Sequence, residues 1–506
     1  MKIGLSKKMS IAALAFLIPL LTVAQEKQPP LELTLDGAIR IALSENPSVK
    51  VADLEVQKKK YAKRSSHSAL YPQIDIVGQY SRTLKKQVMY MDGAFGGDMF
   101  APIISGIEET LANHTDYEIS TNPKEPGELA KNIGKNTPPS DPNQGISVGR
   151  DNNWTGGLQL NWPVVVPTLW KSLEISSLDV ELAVESARSS KINMVHSVRK
   201  AYYGVLLAKD ALHVFQESHD NAVLSYNDIR NKFKQGVVSE FDLIRADVNV
   251  KNIKPNLIQA QNAYNLATLS LKALMGVDME QEIAIPGSLL DYEEGLYAEV
   301  LALDTSLDDN SDLKKFDIQT EQLQKTLQLY KAQFLPTIAI TGNYTYMSMN
   351  NDFRFGDYKW NPYSTVSLNI SIPLFDGFKK TNDIRQTKAT IEQMKWQRED
   401  VVRNLQLAVN SNVNNMTNYV EQVFSTKDVV AQAKKGYEIS QKLYDTGMGT
   451  LLDLNTAQLG LTQASLAFTQ AIYNFLTSKA DLDKTLGIGA EGAQVTSDFF
   501  KVTSDE

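Results

Sequence analysis

Cysteine is absent from the 506 residues, which excludes disulfides, thiolate metal sites, thiol nucleophiles and attachment of a lipid to an N-terminal cysteine. A basic surplus is absent too. Lys and Arg number 51 against 59 Asp and Glu, a net charge of −8, so no cationic surface is on offer to a nucleic-acid backbone. Histidine is scarce, and His67, His114, His196, His213 and His219 show no metal-ligand spacing. No Walker-type loop or H-E-x-x-H occurs. A G-x-G-x-x-G runs from Gly487 to Gly492, but it follows a helical stretch instead of a strand and reads as a helix stop. The composition therefore points to no enzyme, no cofactor and no metal. Beyond the first two dozen residues long apolar runs are missing as well, so no helix is expected to span a bilayer. Residues 1–24 read as a secretory signal: Lys2, Lys7 and Lys8 are its positive start, Ile11 to Leu21 an apolar run too short to span, and Thr22-Val23-Ala24 the small residues before a cut. An exported chain of this kind can enter a membrane only as β-strands.

What is present is repetition. Asn46, Leu70, Pro72, Gly78 and Tyr80 precede Asn310, Phe334, Pro336, Gly342 and Tyr344 by a constant offset. Leu158, Leu160 and Pro163 precede Leu368, Ile370 and Pro373, and Tyr226, Gly236, Asp242, Leu243, Ala246 and Gly276 precede Tyr437, Gly447, Asp453, Leu454, Ala457 and Gly487. Landmarks kept in order mark a tandem duplication, with a first repeat over 25–281 and a second over 282–506. The first copy carries an extra stretch rich in Gly, Pro, Asn and Asp, within which Asp92 to Asp151 hold ten acidic residues against four basic. It reads as a loop over 82–153, either a lid or a plain solvated insertion.

Each copy has two runs that alternate apolar and small polar residues, the period of a strand. Ile74, Ile76, Gly78 and Tyr80 alternate with Gln73, Asp75, Val77 and Gln79, and Val366, Leu368, Ile370 and Ile372 with Ser367, Asn369 and Ser371. Strand hairpins are expected over about 71–166 and 336–375, in runs as long as a tilted membrane strand. Helical hairpins are expected over about 168–275 and 377–486, followed by a tail, 488–506. Lys171 to Lys234 and Lys379 to Tyr444 are helix-favouring stretches free of proline, each roughly 100 Å long at the helical rise. Rows at 3-4 spacing (Val195, Val198, Tyr202, Val205, Lys209, Leu212, and Val402, Leu405, Val409, Asn412, Met416, Tyr419, Val423) predict coiled-coil seams with Lys209 and Asn412 as polar interruptions. Ala457, Ala464 and Ala471 recur every heptad and let a neighbouring helix come close.

Four strands cannot close a barrel, and an open edge in lipid leaves its N–H and C=O groups unpaired. Sister copies must share the sheet. Three copies make a twelve-stranded barrel, whereas two leave too narrow a lumen. The polar strand face fits a water-filled interior and the Ile, Leu and Tyr face fits lipid. The signal segment, the duplicated strand-loop-strand with long helical hairpins, and the turn motifs "YNDIRNKFKQGVVSEFDLIRAD" and "YEISQKLYDTGMGTLLDLNTAQ" together resemble the TolC family of outer-membrane efflux and secretion channels. The resemblance spans about Leu33 to Gly487. It implies an α+β membrane protein of the Gram-negative outer membrane that extends into the periplasm. The expected assembly is a homotrimer whose twelve-stranded β-barrel, in contact with outer-membrane lipid, continues as a long α-helical coiled-coil barrel. A periplasmic adaptor and an inner-membrane pump are the expected partners. Many members carry Phe-Asp-Gly after the closing proline of both strand pairs. Here the second copy has Phe375-Asp376-Gly377 and the first has Val165-Val166-Pro167, Pro167 being suited to the first turn of a helix.

The same resemblance assigns the adaptor-docking tip to Gly236, Val237, Val238, Leu243, Gly447, Met448, Leu451 and Leu454, and the periplasmic gate to Tyr444, Asp453 and Asp242. The glycines also fit a helix stop and Ser239 and Thr450 the following N-caps. The aspartates could equally be first-turn acids placed by the helix dipole. The family's arginine between the gate tyrosine and aspartate is replaced by Gly449, which leaves a salt-bridge lock without its cation. The alternatives from other classes are a stand-alone porin and an envelope coiled coil without a pore.

Overall fold

The computed structural model describes residues 31–89, 103, 146–296 and 305–489. The expected signal segment, most of the expected loop and nearly all of the tail lie outside them. Two compact units form, one from the chain up to Tyr61, Ser177–Leu323 and Ala389 onward, the other from Ala62–Ser176 and Gln324–Lys388.

The second unit is built on a four-stranded antiparallel sheet. Its strands are β2 (Gln73–Arg82), β5 (Asn152–Val165), β7 (Thr337–Asn350) and β8 (Asn361–Ser371), in the order β2-β5-β7-β8. Residues opposite one another share a face, so the register decides where each alternation falls. Ile74 pairs with Leu160, Ile76 with Leu158 and Tyr80 with Trp154. Leu158 pairs with Tyr344, Trp162 with Ile340, and Ile340 with Leu368. The apolar alternates of all four strands therefore form one face, and Gln, Asn, Ser and Thr form the other. On the polar face Asn343 Oδ1 accepts from Thr365 N at 3.1 Å, and Asn369 Nδ2 donates to Thr341 Oγ1 at 2.9 Å. Among the described residues nothing covers the apolar face: Ile76 is 87% exposed and Val366 81%. Among the described residues both outer strands, β2 and β8, have a free edge.

Two local departures shape the sheet. A one-residue shift in the β5–β7 register falls between Pro163 and Val165, where proline withholds an N–H from the ladder. At Gly157 a Cβ would lie 2.2 Å from the carbonyl oxygen of Tyr344 and 2.7 Å from Thr345 Cα, so only glycine lets β7 come this close. The expectation of a loop over 82–153 needs correction. Strands β3 (Gln87–Met89) and β4 (Ile146–Val148) pair inside it, and Thr83 N donates to Asp151 O at 2.7 Å. Lys86 is also paired to Asp151 at 3.0 Å, between the two ladders.

Aromatic rings gather at both ends of the sheet. At one end Tyr80 and Trp154 have centroids 4.3 Å apart, and Trp154 meets Phe355 at 5.3 Å. The buried Asn152 accepts from Tyr80 Oη at 2.9 Å and donates to the carbonyl of Asp352 at 3.3 Å, which pins the Phe353–Phe355 turn to the strand. At the other end, where Thr337 pairs with Ser371, Phe375 meets Phe378 edge-on at 5.5 Å, and Lys380 lies 5.3 Å over Phe334.

The first unit is helical. α1 (Leu35–Glu45) and α2 (Pro47–Ser68) open the first copy, and α3 (Pro167–Lys234) and α4 (Glu240–Met275) form its hairpin. α5 (Ser311–Ala332), α6 (Lys379–Asp445) and α7 (Leu451–Leu486) are the second copy's counterparts, several of these helices running beyond the unit. Pro167 opens α3, whereas α6 begins after Gly377 and Phe378, both in the left-handed region at φ 67° and 66°. The seams are real: Val195, Val198, Tyr202 and Val205 on α3, and Val409, Met416 and Val423 on α6, are all buried. Most of them join one core with Phe468, Ile472 and Phe475 of α7. Ala464 and Ala471 of the alanine row are buried as well.

Lys209 is not merely a break in the seam. Its ammonium donates to the carbonyls of Ile285 (2.8 Å) and Gly287 (2.9 Å), beside β6 (Ile283–Ala284), which pairs in parallel with β1 (Leu31–Glu32). Next to it Asp210 accepts from Leu289 N at 2.9 Å and Ser288 Oγ at 3.0 Å, and burial pushes its carboxyl above the usual range. These two side chains fasten the connection between the copies to α3.

The copies close alike. Asn46 Nδ2 donates to Leu274 O at 2.7 Å, and Asn310 Nδ2 to Thr485 O at 2.7 Å. Each helical hairpin ends on a left-handed glycine seated against that asparagine's segment: a Cβ at Gly487 would stand 2.1 Å from the Asp309 carbonyl oxygen, and one at Gly276 3.1 Å from Asn46 Cα.

Candidate functional site

The two helical hairpins turn by the same means. At the first tip Gly236 adopts φ +73° while Gly236 N donates to Phe233 O and Val237 N to Lys232 O, both at 2.9 Å. At the second, Gly447 adopts φ +75°, with Gly447 N bonded to Tyr444 O (3.1 Å) and Met448 N to Leu443 O (2.9 Å). Both are left-handed glycine stops that satisfy the last carbonyls of the incoming helix. The returning helix starts on a capping box in each case. Asp242 N donates to Ser239 Oγ at 3.2 Å, and the Asp242 carboxylate accepts from Ser239 N at 3.3 Å and Ser239 Oγ at 2.6 Å. Thr450 and Asp453 repeat it at 3.2, 3.2 and 2.6 Å. The hydrogen bonds from Thr450 hold the Asp453 carboxyl below its ordinary value.

Both expected gate aspartates are therefore first-turn acids that close a cap, Asp453 exposed and Asp242 half-buried. Tyr444 is placed differently. Its ring is half-buried in a small core of Ile229, Ala246 and Leu451, edged by Tyr226, Val238 and Leu243, so it joins the second tip to the first.

The expected docking residues divide. Val237 and Met448 are exposed apolar side chains, 68% and 75%, and the two glycines beside them are exposed too. Val238 and Leu243 are half-buried. Leu451 and Leu454 are not surface residues, at 5% and 1% exposed. Within the chain both side chains are covered, Leu451 packing with Ile229 and Ala246 of the first hairpin, so they support the tip from beneath. Phe241, Ile244 and Val248 extend the exposed apolar surface along the start of α4. Their 3-4 spacing is legible in the sequence, but it reads equally well as a buried stripe.

Gly449 sits in a tight place. A Cβ there would stand 3.0 Å from Leu443 Cβ and 3.2 Å from the Leu443 carbonyl carbon. Behind the tips a groove of about 340 Å³ is lined by amides, among them Asn249, Asn252, Asn256 and Asn455. Asn249 donates to Asn455 at 3.1 Å, and the buried Gln458 to Ser218 O at 2.7 Å. Among the described residues no group of three or more His, Asp or Glu converges as metal ligands would, and no helix is long and apolar enough to cross a membrane.

Comparison with known proteins adds to this geometry. The profile of the outer membrane efflux protein family matches residues 130–277 and 302–488, more than half of the chain. The outer membrane protein TolC of Vibrio cholerae serotype O1 is 18% identical over 344 residues, covering 67% of this chain and 77% of that protein. The probable efflux pump outer membrane protein TtgC of Pseudomonas putida is 26% identical over 326 residues, 63% of this chain and 66%, just under two thirds, of its own length. Among solved structures, the CmeC outer membrane channel of Campylobacter jejuni superposes with a TM-score of 0.65 at 17% identity, over 98% of this chain and 97% of that one. At that identity the likeness speaks for the fold.

Proposed function

Because the chain belongs to the outer membrane efflux protein family, we propose that it is the outer-membrane exit duct of a tripartite efflux or type I secretion system, a passive conduit for cargo delivered by an inner-membrane pump. The observation that carries this reading is the sheet: four strands, two free edges, one apolar face and one polar face. An uncovered apolar face this broad is unusual for a surface in water. Its apolar band is flanked by aromatic rings at both ends, as in barrels that sit in lipid. The free edges are satisfied when β8 of one chain pairs with β2 of the next. Three chains then give a closed twelve-stranded barrel with the Asn, Gln, Ser and Thr face toward its lumen, and the helical hairpins give the coiled-coil barrel that continues it. The repeats 25–281 and 282–506 set pseudo-sixfold geometry, with residues 1–24 removed on export.

In this assembly the tips are the pump end. Gly236, Val237, Gly447 and Met448, with Phe241 beside them, meet the hairpin of a periplasmic adaptor. Asp242, Asp453 and Tyr444 surround the entrance, where three copies of each acid about one axis favour cations. No step of chemistry is assigned to the chain. Conductance of the purified protein in a planar bilayer separates a duct from a non-pore scaffold. Crosslinks from Val237 or Met448 to an adaptor separate it from a stand-alone porin, and a monomer that neither conducts nor crosslinks overturns the reading.

A further inference from the structure

Tyr444 is held by a cation that lies on the other hairpin. Lys232 Nζ, in the last turn of α3, stands 5.1 Å from the centroid of the Tyr444 ring. The same ammonium is 2.7 Å from the Asp228 carboxylate, one turn earlier on α3, so its direction over the ring is fixed. The Tyr444 hydroxyl forms no hydrogen bond with a described residue. The ring, not the phenol oxygen, makes the contact. At the position where the family places its cation, between the tyrosine and the aspartate of the second tip, Gly449 has crowded backbone around it and no charge.

We infer that Lys232, steered by Asp228, is the positioning residue that holds the gate tyrosine Tyr444 against the first hairpin, replacing a cation on the second tip. The inference rests on the reading of the tips as a gate and names how this chain closes it. The ion pair belongs to one helix and survives when the hairpins part. Opening therefore separates an ammonium from an aromatic face, a weak and reversible contact. It also moves the determinant of closure from the second copy to the first, so that one hairpin carries the ring and the other the charge.

Single-channel recording of the purified protein tests this with Lys232→Met, Lys232→Gln, Lys232→Arg, Tyr444→Leu, Tyr444→Phe and the double variant Lys232→Met/Tyr444→Leu. Loss of the cation or of the ring is expected to raise closed-state conductance about two- to fivefold, the equilibrium shift that matches one exposed cation–π contact. Lys232→Arg and Tyr444→Phe keep cation and ring and are expected to match the unmodified protein, and the double variant to leak no more than the leakier single. Lys232→Gln gives the same loss of charge if Lys232→Met does not assemble. A merely structural lysine at a helix end would lower thermal stability without coupling to Tyr444. The inference is overturned if both neutral variants conduct like the unmodified protein, if arginine leaks as much as methionine, or if the two single effects add. The gate reading fails by a different result, an unchanged Tyr444→Leu, and the duct reading by an unmodified protein that does not conduct; either also removes the inference.

Discussion

Gly157 and Gly78 sit on neighbouring strands, yet their surroundings are opposite. A methyl group at Gly157 would overlap the Tyr344 carbonyl, whereas at Gly78 it would meet nothing within 4 Å. Gly157→Ala should therefore abolish assembly into the outer membrane while Gly78→Ala leaves it intact, as read by the amount of heat-resistant oligomer in membrane fractions. At the tips, Asp453 gives a prediction in pH. Its folded-state value is depressed by hydrogen bonds from Thr450, so the cap's contribution is present above the ordinary carboxylate range and is lost as pH falls through the depressed value. The protection of the first amides of α7, taken relative to their intrinsic exchange rate at each pH, should fall in that acidic window, and Thr450→Ala should remove most of the difference; protection unchanged across the window would contradict it. Replacing both aspartates by asparagine removes charge from the entrance and keeps an acceptor on each cap. If the acids select cations, the reversal potential across a salt gradient should move toward zero, with the second cap weakened as it is by protonation of Asp453.

Elements obey the periodicities of their sequences where contacts are local and depart from them where they are not. The strand alternation and the 3-4 rows were legible because each is a run of nearest neighbours on one face. Met416, fully buried in the α6 seam, should cost about 2–5 kcal/mol when cut to alanine, visible as a lowered thermal midpoint. Lys209 looked like a flaw in such a row, because its partners, the carbonyls of Ile285 and Gly287, are distant in sequence. Leu451 and Leu454 belonged by resemblance to the docking surface, but which side of a helix is covered depends on the other hairpin, and no single periodicity announces that. The same holds for the rings of Tyr80, Trp154 and Phe355, and for Lys232 beside Tyr444: each pair joins the two copies or the two ends of an insertion.

For the whole molecule the sheet's two faces make different demands. Ile76 lies on the apolar face of edge strand β2 and Asn369 on the polar face of β8. Ile76→Lys should prevent stable insertion, a charge near the middle of the lipid face costing about 2–4 kcal/mol per chain. Asn369→Lys should insert normally and alter conductance instead. Equal loss of insertion in both would argue against a lipid face and a lumen face. The unpaired edges of β2 and β8 also bear on inheritance. In the proposed assembly, a chain damaged only at one edge still offers the other to healthy sisters and is drawn into rings that it then prevents from closing. In a cell making both kinds, such an allele should behave as dominant, whereas one that never folds should be recessive.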